Sequence, residues 1–228
     1  MSSHSNIAKV PHLLLLALLT AGLVSQTNAA SGIIPPLLDN TTEEQFPGKF
    51  VWIDLYTPNP AAARKFYGEL FGWTFVELGD PATPYTLAYL DGEQVAGIVT
   101  RSNARPGGRK SRWVAYLSVP DVAQAADRVA QQGGKVLMSG RPVPERGTMA
   151  VLADPDDVPF GVIRSSSGDP PDTLAPVGDW IWALYQSLNP TGAAAFYQQV
   201  ADYEVVADDR LPAFAAELPA TTAGSVLA

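Results

Sequence analysis

The sequence predicts an α+β fold built from two complete βαβββ units and an incomplete third. Three observations carry this. Residues 50–73 read as strand, capped helix and strand; the same succession restarts at Trp113; and Asn189-Pro190 with Phe196-Tyr197 repeats Asn59-Pro60 with Phe66-Tyr67 at an offset of 130 residues. A chain of 228 residues with 46% hydrophobic content can bury one sizeable core but does not reach two full domains once a targeting segment is set aside.

In chain order, Lys9, the apolar run Leu13 to Val24 and the small residues Thr27-Asn28-Ala29-Ala30 read as a secretory signal peptide over residues 1–29. The run is too short to span a bilayer, so no membrane span is expected in the mature form. Residues 30–48 carry Pro35-Pro36 and Pro47-Gly48 and read as a linker. In the first strand Val51, Ile53 and Leu55 alternate with Trp52, Asp54 and Tyr56, so that one face is aliphatic and the other aromatic and acidic. Asn59 caps a helix that tolerates Pro60 in its first turn, buries a stripe of Ala63, Phe66, Tyr67 and Leu70, and stops at Gly72. Trp73 to Val76 is the next strand, and Asp91-Gly92 joins Tyr85–Leu90 to Gln94–Thr100 as a hairpin. Residues 101–112 gather Arg101, Arg105, Arg109, Lys110 and Arg112 around Pro106-Gly107-Gly108 as a solvated basic connector.

The second unit opens with the strand Trp113–Leu117. A helix over Asp121–Gln132 turns Val122, Ala125, Ala126 and Val129 inward and ends at Gly133-Gly134. Strands follow at Lys135–Ser139, Thr148–Ala153 and Phe160–Arg164, with Asp154-Pro155-Asp156-Asp157 as an ordinary polar turn rather than a calcium loop. This places one domain at 49–165, a linker at 166–178 and a partial further unit at 179–228.

Charge and residue usage narrow the function classes. The chain has no cysteine, and both histidines, His4 and His12, precede the expected cleavage site, as does Lys9. The mature protein then carries 14 basic against 23 acidic residues, a net charge of −9, which argues against nucleic acid as a partner, while the signal peptide implies a periplasmic or secreted protein. Without His or Cys, any metal would be held by carboxylates, backbone oxygen and water, a donor set for calcium or magnesium rather than zinc, iron or nickel.

The strand, the Asn-Pro helix with Phe66-Tyr67, the run Leu70-Phe71-Gly72-Trp73, and Asp154-Pro155-Asp156 followed by Phe160-Gly161 resemble the vicinal oxygen chelate superfamily. That group includes glyoxalase I, bleomycin-resistance proteins, fosfomycin-resistance enzymes and extradiol dioxygenases. The resemblance implies that the two units pair about a pseudo-twofold axis into a cup-shaped mixed sheet. It also implies metal-ligand positions on the first strand of each unit and on a last strand, which fall on Trp52, Trp113 and Gly161. None can bind a metal through its side chain, so no cofactor is expected. Aromatic groups stand there instead, and Trp52, Tyr56, Trp113 and Phe160 around Asp54 form the candidate ligand-binding set, suited to a planar or cationic molecule. The competing reading has these tryptophans plugging the cup as core. Asp54 is the one catalytic candidate, as a desolvated acid or base, unless it pairs with Arg101, Arg112 or Arg164. The sequence therefore favours an exported, metal-free binder of an aromatic or hydrophobic small molecule; a glyoxalase-like lyase or isomerase, or a dioxygenase-like enzyme, is the alternative. In the third unit Ile181, Ala183 and Tyr185 are expected to pack on Ala194, Phe196 and Val200, leaving Trp182 and Leu184 exposed. That exposure implies either a homodimer or a poorly ordered tail beyond Ala207.

Overall fold

Two four-stranded half sheets of identical order meet edge to edge in the computed structural model, which describes residues 33–82, 84–101, 111–181, 183–204 and 225–226. The first half is β1 (Phe50–Thr57), α1 (Pro60–Phe71), β2 (Thr74–Leu78), β3 (Tyr85–Leu90) and β4 (Glu93–Thr100). The second is β5 (Arg112–Ser118), α2 (Val122–Gln131), β6 (Lys135–Val143), β7 (Gly147–Ala153) and β8 (Pro159–Ser165). The strand order β2-β3-β4-β1-β5-β8-β7-β6 makes one curled, unclosed sheet. Within each half the first strand runs parallel to the last, and β1 and β5 join the halves antiparallel. The α+β architecture of paired βαβββ units is therefore the one the sequence predicts.

The helix caps set the correspondence between the halves. Asn59 Oδ1 accepts from the Ala62 N–H at 3.0 Å and Asp121 Oδ1 from the Gln124 N–H at 2.9 Å, each closing the first turn of its helix. Matching these caps pairs Pro58 with Pro120, Asp54 with Tyr116, and Trp52 with Val114. Trp113, by contrast, is the counterpart of Val51.

The helices cover one face of the sheet unequally. On the second half α2 buries Val122, Ala125 and Val129 against Leu117, Leu152 and Val162. On the first half no α1 residue is fully buried: Tyr67 stacks 5.4 Å from Trp73, but Phe66 and Leu70 are each 57% exposed. The expected α1 stripe thus divides, because the aromatic wall of Trp73 and Trp113 meets the helix along the line of Tyr67 and Phe71.

The third unit does not stand apart. Its helix α3 (Pro190–Ala201) buries Phe196, Tyr197 and Val200 in the core of the second half, with Phe196 6.2 Å and Tyr197 5.6 Å from Phe160. Asp154 Oδ2 accepts from the hydroxyls of Tyr185 at 2.5 Å and Tyr197 at 3.2 Å, tying the Asp-Pro turn to this unit. A two-residue strand β9 (Tyr185–Gln186) pairs with β10 (Ser225–Val226). Leu184 is 43% exposed, in line with expectation, but of the residues expected to pack on α3 only Tyr185 does so, Ile181 being 82% exposed and Ala183 exposed as well; Trp182 and the stretch 205–224, where the ordered tail was expected to end, lie outside the described residues.

Both stretches read as linkers dock on each other. The Leu38 N–H donates to Ser167 Oγ at 3.1 Å, the Thr42 N–H to the Ser167 carbonyl at 2.9 Å, and the Phe46 N–H to Asp169 Oδ2 at 2.6 Å. Leu37, Ser167 and Asp169 are buried as a result. The expected signal segment 1–29 and most of the basic connector lie outside the described residues. Among the described residues no helix is long and apolar enough to cross a membrane.

Candidate functional site

Period-two alternation carries Trp52, Asp54 and Tyr56 of β1 onto the face of the sheet away from the helices, where they meet Tyr85 and Leu87 of β3, Val114 and Tyr116 of β5, and Ile163 of β8. Asp54 is buried among them. Its Oδ1 accepts from Trp52 Nε1 and from the Tyr85 hydroxyl, both at 2.8 Å, and Trp52 Nε1 also lies 3.2 Å from that hydroxyl. Desolvation raises the Asp54 pKa above 3.8, although Tyr85, Trp52 and the positive charge of Arg146 oppose the shift. The Tyr56 and Tyr116 hydroxyls are 3.0 Å apart and bridge the two halves. Burial and the Asp54 charge push Tyr56 up to about 12, and the same two causes raise Tyr85 and Tyr116 well above the ordinary tyrosine value.

Glycines across the strand pairs make this packing feasible. Asp54 pairs with Gly97 and Tyr116 with Gly161. A methyl group on Gly97 would collide with Asp54 Oδ1 and the Tyr85 hydroxyl, and one on Gly161 with the Tyr116 ring. The position where the resemblance places a metal-binding carboxylate is thus a glycine kept bare by an aromatic ring.

Two of the five predicted ligand-binding residues are elsewhere. Trp113 lies on the helix-covered face, donating from Nε1 to the Tyr67 hydroxyl at 3.1 Å with its ring 5.0 Å from Trp180. Phe160 sits in the core of the second half against Phe196 and Tyr197. The correction for Trp113 is one of register: the cap correspondence makes Val114 the partner of Trp52, so a strand position one residue off lands on the opposite face. Phe160 departs for the same reason, since Gly161 and not its neighbour faces Tyr116. Trp52, Asp54 and Tyr56 do come together.

Arg146 carried no signal in the sequence. It sits in the β6–β7 turn between Glu145 and Gly147, both at positive φ, and is fully buried. Its guanidinium carbon lies 3.9 Å from the centroid of the Trp52 ring. Nη1 donates to the carbonyls of Pro35 at 2.9 Å and Pro36 at 3.3 Å and to Gln94 Oε1 at 3.0 Å, while Nε and Nη2 have no hydrogen-bond partner among the described residues. Burial lowers its pKa, and the neighbouring Tyr85 and Asp54 oppose that shift. Arg146, which was not among the three arginines considered from sequence, is a cation whose charge Asp54 feels. A local pattern could not have found it, because turn residues have no periodicity to betray an inward direction.

Beside this cluster β1 and β4 part. Their ladder runs from Asp54↔Gly97 to Thr57↔Thr100, and the stretches before it, Phe50–Ile53 and Glu93–Val95, line a cleft of about 950 Å³ together with Pro35, Leu37, Tyr89 and Trp180. The metal of the resembled family does not fit this site. The positions implied for it offer no donor, Asp54 Oδ1 already accepts two hydrogen bonds, and among the described residues no three His, Cys, Asp or Glu side chains converge.

Residues 49–162 match the model of the Glyoxalase/Bleomycin resistance protein/Dioxygenase superfamily. The chain is 32% identical over 151 residues to "Putative glyoxylase CFP32" of Mycobacterium tuberculosis, covering 65% of this chain and 58% of that protein. It is 32% identical over 163 residues to the anthracycline biosynthesis protein DnrV of Streptomyces peucetius, covering 66% and 59%. The chain therefore spans less than two thirds of the length of these curated relatives. Among solved structures, the Mn(II)-bound glyoxalase from Novosphingobium aromaticivorans superposes with a TM-score of 0.48 at 17% identity, covering 71% of this chain and 54% of that one. On the family match over half its length, the chain belongs to the Glyoxalase/Bleomycin resistance protein/Dioxygenase superfamily.

Proposed function

We propose that this glyoxalase/dioxygenase-like protein is an exported binder that holds a planar aromatic or hydrophobic small molecule, without a metal, in the cleft against Trp52. The observation that carries the reading is that Trp52 belongs both to the cleft wall and to the Asp54–Tyr85 network. A ring already fixed by its own N–H loses little freedom when a ligand stacks on it. Tyr89, Leu90, Val95 and Trp180 supply further apolar lining. The enzymatic alternative is less well supported, because the one catalytic candidate, Asp54, is buried and has Oδ1 engaged by Trp52 and Tyr85.

The test is tryptophan fluorescence of the purified protein against a panel of planar aromatic compounds, with metal analysis alongside. Saturable quenching is expected, weakened in Trp52→Phe, which keeps an apolar ring but drops the N–H to Asp54. A stoichiometric metal with no quenching by any compound would reverse the proposal in favour of a metal-dependent enzyme. Export is tested separately by N-terminal sequencing: a mature chain starting at Ala30 or Ser31 outside the cytoplasm is expected, and folded cytoplasmic protein retaining Met1 would refute it.

A further inference from the structure

We infer that the molecule held in the cleft is a cation, an aromatic ring bearing a protonated amine, selected by carboxylates that stand beside the aromatic side chains of the cleft wall. This deepens the binding reading and rests on it.

The charge of the lining is one-sided. Asp39, Asp91, Glu93, Asp172 and Asp179 stand on it against a single basic residue, Lys49, among the described residues. Lys49 is already engaged: its Nζ lies 2.6 Å from Asp172 Oδ1 and donates to the Pro170 carbonyl at 2.6 Å. The other four carboxylates form no ion pair among the described residues. Arg146, buried near the wall, does not balance them, because its charge and that of Asp54 offset each other. The carboxylates come from three separate parts of the chain, the segment around Asp39, the β3–β4 hairpin and the stretch 172–179, which meet around a buried apolar floor of Leu37, Val51, Trp52 and Ile53. Like charges gathered over such a floor repel one another and focus a negative potential into the cleft, and a bound cation relieves that repulsion.

Two of the carboxylates are set beside aromatic rings of the same cleft. Asp179 precedes Trp180 and holds it, Oδ1 accepting from the Trp180 backbone N–H at 2.6 Å, while Trp180 Nε1 donates to the Val95 carbonyl at 3.1 Å. Tyr89 lies within the field of Asp39: burial raises its hydroxyl pKa, and the Asp39 charge raises it further. Trp180 and Tyr89 both line the cleft and are only half-buried. An aromatic face with a carboxylate next to it recognises an ammonium group twice, by cation–π attraction and by a charge-assisted hydrogen bond. The same surroundings repel an anion and give a neutral ligand the ring contact alone.

The experiment compares 2-naphthylmethylamine, protonated at neutral pH, with the neutral 2-naphthalenemethanol and the anionic 2-naphthoate, by calorimetry and tryptophan fluorescence on the wild-type full chain. The amine should bind at least about tenfold more tightly than the alcohol, and the naphthoate more weakly than the alcohol. Raising the ionic strength from about 10 mM to about 150 mM should narrow the lead of the amine several-fold, a readout that needs no variant. The double variant Asp39→Asn with Asp179→Asn keeps an acceptor for the Trp180 N–H and should cut the amine-to-alcohol preference by at least about threefold. Equal binding of amine and alcohol to wild type, or tighter binding of the naphthoate, would overturn the cation assignment and leave the binding reading standing. A preference untouched by both salt and the double variant would overturn it equally. Binding of none of the three compounds would overturn both.

Discussion

Gly97 and Gly161 hold equivalent places in the two halves, each opposite a polar side chain that fills the space a Cβ would need. Gly161→Ala is expected to destabilise the protein by about 1–3 kcal/mol, as overpacking does, because the Tyr116 ring has to move and its hydrogen bond to Tyr56 moves with it. Urea unfolding reads this directly, and an unchanged midpoint would show that the ring does not lie over Gly161. Asp54 gives a prediction in pH. Its pKa is raised in the folded protein, so its contribution is fully present below the ordinary value of 3.8 and is lost as pH rises through the folded value. Wild type should therefore lose stability relative to Asp54→Asn as the pH climbs from about 3 to about 7; a constant difference in melting temperature over that range would contradict it. At this scale strand alternation was enough to bring out Trp52, Asp54 and Tyr56. Trp113 was misplaced because a pattern of aromatic residues does not fix register; Pro58 and Pro120, each one residue before a cap, would have fixed it.

Helices α1 and α3 begin alike, with Asn-Pro caps and Phe-Tyr at matching positions, and end in different surroundings. Phe196 is 4% exposed, wedged against Phe160, whereas its counterpart Phe66 is 57% exposed. Phe196→Ala should cost about 3–5 kcal/mol by cavity formation. Phe66→Ser should change stability by no more than about 0.5 kcal/mol, since an exposed position leaves little packing to lose. Comparable thermal shifts for the two variants would mean that α1 is covered in solution by another surface. Helical spacing tells which side chains share a face but not how far the sheet reaches beneath them, which is why Ala63, Phe66, Tyr67 and Leu70 read as one buried stripe. The supposed linkers misled for a related reason. Pro, Gly and Ser mark irregular backbone equally well whether it is solvated or, like Ser167 and Asp169, buried against residues more than a hundred positions away.

For the whole molecule, the burial of α3 changes what the third unit is for. Either a homodimer completing its cup or a poorly ordered tail beyond Ala207 was the expectation; in addition Phe196, Tyr197, Val200 and Ala201 are taken up by the second half of the sheet. Deleting residues 176–228 should uncover Phe160 and the Asp154 carboxylate together and leave a chain that unfolds at lower temperature or precipitates. A shortened protein as stable as the full chain would make residues 49–165 an independent domain after all. The overall α+β repeat was legible because it lies in local signals of caps, hairpins and alternation; the partnership between a helix at 190 and a sheet ending at 165 is a long-range choice that those signals do not encode. The segment from Pro35 to Phe46 is the extreme case. Three of its partners, Arg146, Ser167 and Asp169, emerge from the ribosome more than a hundred residues later. Gln94 and the cluster around Leu37 are made earlier, but the docking of this stretch is complete only once the residues that follow β8 have been added, so the two ends of the sheet are closed over by a segment that is made first and seated last.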